Sequence, residues 1–191
     1  FFHCSSSSRG LLALEAIEAG LYSPEEIPVV RDFAEKVLSR MPKNWMGNFG
    51  SESPKSASSA LTIKTSATPT KGGWLLNGIK FFGCGTGFAD YYLVTAKLEG
   101  YDTAEGLATC FVPRDAEGVS ERGRWNPIGM RGSSSHGVIL KDVFIPAEEA
   151  LTLPGAFVTM LQCSRGSFVG NQIASVAGYI GVARNVYDFS M

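Results

Sequence analysis

Two histidines, four cysteines and a net charge of −1 leave this 191-residue chain with few of the side chains that usually mark a function. Cys4, Cys84, Cys110 and Cys163 are far apart, form no C-x-x-C pair and have no histidine cluster near them, so neither a metal site nor a disulfide framework is expected. The thiols read as reduced, which points to the cytoplasm, or to the mitochondrial matrix in a eukaryote. With 17 basic against 18 acidic residues, no excess of one sign favours nucleic acid or an anionic membrane. No apolar run approaches the roughly 18 residues of a membrane span. The opening FFHCSSSSRG also lacks the basic start and long apolar stretch of a signal peptide.

What is present is an ordinary core-forming composition. The apolar fraction is 45%, and a chain of this length can bury roughly 70% of its unfolded surface without a metal or disulfide. Three regions differ in period. From Leu11 to about Met41 the pattern is helical: Leu11, Leu14 and Ile17 share a face, and Gly20 stops the segment. SPEE at Ser23–Glu26 then carries an N-cap, a Pro and a Glu in capping-box spacing, although Pro28 sits awkwardly in the helix that follows. Val30, Phe33, Val37 and Leu38 recur at helical spacing before Pro42.

From about Trp45 to Pro146, short runs rich in aromatic and β-branched residues alternate with Gly, Pro and Ser clusters, a β-domain signature. Asn77-Gly78 predicts a tight hairpin between strands Trp74–Leu76 and Ile79–Phe82. Tyr91–Ala96, Ala108–Val112 and Val138–Ile145 are further expected strands. After Pro154 the helical period returns, with Ile173, Val176, Ala177, Ile180, Ala183 and Tyr187 on one face. The expected division is 1–44 helical, 45–150 β and 151–191 helical. The aromatic start and the still-running last helix suggest a piece of a longer chain, and SSSS at Ser5–Ser8 reads equally as loop or function.

Several tempting motifs fail on chemistry. Gly83, Gly85 and Gly87 are spaced G-x-G-x-G and precede a strand-like ADYYLVTAK, whereas a dinucleotide loop needs G-x-G-x-x-G opening a helix whose N-terminus meets the pyrophosphate. A glycine-rich bend between strands is the expectation. GSSSHG at Gly132–Gly137 resembles a nucleophile elbow but places His136 where the second glycine belongs, so His136 reads as a strand-edge residue. SESPKSASSA, from Ser51 to Ala60, offers hydroxyls and amides to a phosphate or a flavin pyrimidine ring, or is a plain polar loop.

Taken in order, GGWLLNGIKFFGCGTGFADYYLV, CFVPRDAEGV and IGMRGSSSHGVILKDVFIP resemble the middle β-domain of the acyl-CoA dehydrogenase family of flavoproteins. The resemblance is good over Phe49–Pro146, moderate over Gly155–Tyr187 and loose before that. It implies an α+β fold: an antiparallel β-barrel flanked by N-terminal helices and the first helix of a C-terminal four-helix bundle, within a homotetramer or dimer. It implies FAD held between barrel and bundle, desaturation of an acyl-CoA thioester as in fatty acid metabolism, and electron transfer to an electron-transfer flavoprotein.

The resemblance also implies site residues. Phe49 and Ser51 fall on the cofactor side, with Ser51 in the place of the family's flavin-bonding Thr. Phe82 takes the place of the aromatic that lines the flavin, and Cys84 replaces a hydroxyl residue, which shifts expected hydrogen bonding toward backbone N–H groups. Ser58 and Arg165 fall on the substrate side. The family's Pro and Gly-Ser are replaced by Ser53, Ser56 and Ala57, so those acyl-CoA contacts do not carry over. Ser164 stands where a minority of members carry a catalytic Glu, and the catalytic base is unassigned. RWNPIGMRGSSSH is also similar to branches of the scaffold that oxygenate aromatic or sulfur substrates with reduced flavin, an alternative that needs no α-proton base. A non-catalytic homologue is the third reading.

Overall fold

The computed structural model describes residues 2–52, 63–163 and 169–191. Two helices come first, α1 (Phe2–Glu18) and α2 (Ile27–Arg40). α1 runs through the serines that read as possible loop, and its buried side is turned from the expected one. Arg9, Leu12, Ala13 and Ala16 are buried, whereas Leu11 is 56% exposed. Small residues explain the rotation: a Cβ on Gly10 would stand 3.1 Å from Leu38 and 3.2 Å from Val37, so the side with least bulk lies against α2.

Ser23–Glu26 forms a turn before α2. Ser23 N–H donates to the Glu26 carboxylate at 2.8 Å, and Ile27 N–H donates to Ser23 O at 3.2 Å. The helix therefore starts later than SPEE suggests, and Pro28 falls in the first turn, where its missing N–H costs nothing. Val30, Phe33, Ala34 and Val37 are the buried face of α2.

Among the described residues eight strands follow: β1 (Met46–Phe49), β2 (Ser66–Thr70), β3 (Gly73–Lys80), β4 (Tyr91–Leu98), β5 (Leu107–Pro113), β6 (Val119–Arg122), β7 (Gly137–Pro146) and β8 (Ala150–Leu151). Their order is β6-β7-β3-β2-β4-β5-β8, with β1 also on β4. The fold is α+β, and the sheet is a curled, mixed half-barrel, so the expectation of an antiparallel barrel is corrected in two pairs. β1 runs parallel to β4 from Met46↔Tyr91 to Phe49↔Val94, and β2 runs parallel to it at Ser66↔Lys97 and Ala67↔Leu98. β1 and β2 thus lie end to end along one edge of β4.

Asn77-Gly78 is not a hairpin turn. β3 is continuous through it, and the turn lies at Lys71-Gly72, joining β2 to β3 with Thr70 opposite Gly73. Asn77 marks an irregularity in the β3–β7 pairing instead. Its amide donates to the Asp142 carboxylate at 3.0 Å and accepts the Asp142 N–H at 2.9 Å, which supports the left-handed Asp142 backbone (φ 51°).

Two cores result from period-2 alternation. Leu93, Leu107 and Phe111 face the helices, joining Val30, Phe33, Val37 and Met46. Tyr92, Val94, Ala96, Ala108, Cys110 and Val112 face the inside of the curl with Phe49, Leu76 and Val143. Arg40 fixes α2 to the sheet: its guanidinium bonds both Glu149 oxygens at 2.6 and 2.7 Å and lies 4.7 Å from the Phe111 ring centre. Helix α3 (Ala156–Gln162) follows, tied in by the Tyr22 hydroxyl donating to Ala156 O at 2.8 Å. Helix α4 (Val169–Ser190) presents Val176, Tyr179, Ile180, Val186 and Tyr187 to solvent, each more than half exposed. Among the described residues, no helix is long and apolar enough to cross a membrane.

Phe49 packs 4.3 Å from Tyr92, ring centre to ring centre, between two glycines. A Cβ on Gly47 would fall 2.5 Å from its ring, and one on Gly83 only 1.9 Å. Gly83→Ala is therefore expected to cost about 3 kcal/mol by overpacking. Adding Phe49→Leu should recover part of that loss in chemical denaturation, and a simple sum of the two single effects would refute this packing account.

Candidate functional site

The strands bring Ser51, Phe82 and Cys84 to one edge of the sheet. Ser51 leaves β1 exposed, and its carbonyl accepts the Phe81 N–H at 2.9 Å. Phe82, just beyond β3, has a left-handed backbone (φ 54°) and is 55% exposed, its ring edge-on to Trp125 at 6.3 Å. Met130 (φ 57°) and Ser134 (φ 44°) share this unusual conformation. Among the described residues, three of the four left-handed ones other than glycine thus gather around the same bend, where strain has to be held by surrounding bonds.

The bonds come from the GSSSHG segment. Gly83 N–H donates to His136 O and Gly85 N–H to Ser133 O, both at 3.0 Å, while the Ser134 hydroxyl donates to Thr86 O at 2.8 Å. The Ser133 and Ser135 hydroxyls lie 2.9 Å apart, and Ser135 Oγ donates to Cys84 Sγ at 3.0 Å. His136 Nδ1 accepts the Trp125 N–H at 3.1 Å, so His136 positions the loop that carries Trp125. The backbone N–H groups of Gly83, Gly85, Thr86 and Gly87 donate within the protein, and the Cys84 sulfur, which accepts from Ser135, keeps its own S–H to donate.

Phe49 stands apart from the exposed group, since its ring is 1% exposed and belongs to the inner core. Ser58 and Arg165 lie outside the described residues, as do Ser53, Ser56, Ala57 and Ser164.

Behind this edge lies a charged group that motif reading missed. Lys80, the last residue of β3, is fully buried and pairs with Glu52 Oε1 at 2.5 Å, the Glu52 side chain being 5% exposed. The carboxylate also accepts from Lys64 N at 2.6 Å, Thr65 N at 3.1 Å and Thr65 Oγ1 at 2.6 Å. Lys80 Nζ reaches on to Thr95 O at 2.5 Å. Arg9 of α1 bonds Thr109 Oγ1 at 2.9 Å, Thr95 Oγ1 at 3.0 Å and Asn48 Oδ1. Burial lowers Lys80 to about 8 and Arg9 to about 9, and raises the neighbouring Cys110 thiol to about 12. Burial alone would raise Glu52; the Lys80 charge and the hydrogen bonds outweigh it and hold the carboxyl below its ordinary value. A lysine set directly between Ile79 and the Phe81-Phe82 pair was the available sequence signal.

Residues 49–143 match the family model for the acyl-CoA dehydrogenase middle domain. The chain carries that domain. Dibenzothiophene monooxygenase of Mycolicibacterium goodii is 32% identical over 161 residues, covering 81% of this chain and 38% of that protein. The acyl-CoA dehydrogenase-like YdbM of Bacillus subtilis is 29% identical over 145 residues, 69% of this chain and 35% of YdbM. Among solved structures, the FAD complex of a Bacillus anthracis acyl-CoA dehydrogenase superposes with a TM-score of 0.56 at 26% identity, covering 73% of this chain and 23% of that one. This middle domain therefore belongs to a family of oxidoreductases. The chain spans little more than a third of the length of these two curated relatives.

The ion pair of the middle domain makes a pH-dependent prediction. Because folding lowers the Glu52 pKa below 4.5, its contribution is complete above that value and fades as pH falls through the folded value. Glu52→Gln should cost about 3–5 kcal/mol at neutral pH by leaving the Lys80 charge unanswered. The difference in melting temperature between wild type and variant should narrow below about pH 4.5. A constant difference from pH 7 to pH 3.5 would show that the charge of Glu52 is not the cause.

Proposed function

We propose that this chain is the barrel-centred part of a flavin-dependent monooxygenase built on the acyl-CoA dehydrogenase scaffold. The observation that carries the reading is the apolar ledge beside the glycine bend. Phe82 and Trp125 meet edge to face, the Trp125 indole donates to Met130 O at 3.0 Å, and Met130 is 72% exposed. Exposed aromatic and thioether surface next to a few polar groups suits an aromatic or sulfur-containing substrate. The greater identity to dibenzothiophene monooxygenase than to YdbM supports the same choice.

The residues present fit FAD: an exposed hydroxyl at Ser51, an exposed ring at Phe82 and a thiol donor at Cys84 together provide a flat apolar contact and hydrogen-bonding groups. Ser51 would hold the pyrimidine end, Phe82 would line the ring system, and Cys84 would donate its S–H from a sulfur oriented by Ser135. When bound and reduced, the cofactor supplies two electrons, so that one atom of O2 enters the substrate and the other leaves as water. Trp125 and Met130 would exclude bulk water and orient the substrate.

Acyl-CoA dehydrogenation is the second reading, favoured by the match of residues 49–143 to the family model. It carries with it an acyl-CoA substrate and transfer of electrons to an electron-transfer flavoprotein. On either reading, the apolar residues exposed on α4 would be covered in a helical bundle and a dimer or tetramer, the flavin lying between barrel and bundle. The expected division at 44 and 150 belongs to this proposal. A cytoplasmic or matrix location is part of it as well.

Two experiments follow. Full-length natural protein with FAD, a reducing system and dibenzothiophene under oxygen-18 gas should give a product carrying one labelled oxygen, and acyl-CoA should not bleach the flavin anaerobically. Bleaching by acyl-CoA without oxygen incorporation would replace the first reading with the second. Cys84→Ser should bind FAD as wild type does, and Cys84→Trp should bind it at least tenfold more weakly, a loss of about 1.4 kcal/mol or more. Equal affinity of the Trp variant would remove Cys84 from the cofactor edge.

A further inference from the structure

We infer that the buried Lys80–Glu52 pair is a latch that sets the cofactor edge, with both acting as positioning residues for Ser51 and Phe82. This rests on the reading of that edge as flavin-binding. The argument begins with sequence adjacency. Glu52 directly follows Ser51, and Lys80 is separated from Phe82 only by Phe81. The two segments are joined twice, by the Phe81 N–H to Ser51 O bond at 2.9 Å and by the Lys80–Glu52 contact at 2.5 Å.

Three further donors on Glu52 from Lys64 and Thr65 prevent the carboxylate from turning, and Thr95 O fixes the ammonium from the other side. The charged and titratable groups that act on Lys80 are Glu52, Arg9 of α1 and Cys110 of β5. A buried ion pair contributes little net stability over an apolar pair of similar volume, so its directional bonds distinguish the site more than its stability does. Here those bonds link the ends of two strands at the place where Ser51 and Phe82 emerge.

The test separates position from stability. Removing one partner alone leaves an unanswered buried charge and threatens folding, so the informative variant is the double substitution Glu52→Gln with Lys80→Met in the full-length protein. Its melting temperature should return to within about 5 °C of wild type. Its Phe81 amide should exchange hydrogen about tenfold faster or more, while the Leu93 and Val94 amides hold their protection. FAD affinity, measured by titration, should fall by about tenfold or more. A stable double variant with wild-type exchange at Phe81 and wild-type FAD affinity would overturn the latch. Faster exchange at Phe81 in a protein whose wild type takes up no FAD would overturn the flavin reading alone, the latch then standing on the exchange result.

Discussion

A lysine ammonium with no exposed surface has to be answered from inside the protein, and the arrangement around Lys80 is that answer. Among the described residues Glu52 is the only carboxylate hydrogen-bonded to it, yet Arg9 is buried close by, so one negative group there serves two positive ones. The remaining compensation comes from dipoles. Thr95 accepts from Arg9 through its hydroxyl and from Lys80 through its carbonyl, while Thr109, directly across from Thr95 on β5, accepts from Arg9 as well. This explains why polar Thr95 and Thr109 lie between apolar Leu93, Leu107 and Phe111 on the helix-facing side of β4 and β5. Helix α1, strands β1, β3, β4 and β5 and the start of the Ser51 segment all contribute to the same buried group.

The second constraint is the glycine bend, where steric and hydrogen-bonding demands coincide. Gly83 lacks a side chain because the Phe49 ring occupies that space, and Gly85 (φ 93°) and Gly87 (φ 86°) turn the chain through a conformation that other residues resist. The 133–136 segment supplies the bonds that hold the bend, so a stretch resembling a nucleophile motif works here as a support. Phe82 gains its exposed position from this combination, with a filled core on one side and a tied bend on the other.

Much of the fold was legible because its periodicities are strong. The helix α2, the strands β4, β5 and β7 and the terminal helix α4 follow directly from apolar spacing, and the three ordered motifs identify the middle domain. Asn77-Gly78 misled because the dipeptide tolerates bulged as well as turning backbone, and the choice was made by Asp142, which is 65 residues away. β2 was missed because Ser66–Thr70 includes Pro69 and few apolar residues, its pairing with β3 and β4 deciding its conformation. Resemblance pointed to Ser51, Phe82 and Cys84. Glu52, Lys80 and Arg9 were not, because their significance depends on burial and on contacts up to 100 residues apart.

The end-to-end placement of β1 and β2 against β4 has a consequence for variation. β4 is aligned independently on either side of the interruption, by four residue pairs with β1 and two with β2, while β5 secures its opposite edge. A shift of β4 by one residue would reverse its inward and outward faces against three neighbours at once. The register of β4 is therefore set by its strand neighbours, which leaves the β1–β2 connection to meet a different demand: Glu52 near its start has to arrive beside Lys64 and Thr65 near its end, around the Lys80 ammonium. Variation compatible with this frame has to keep both ends of the connection together at that charge.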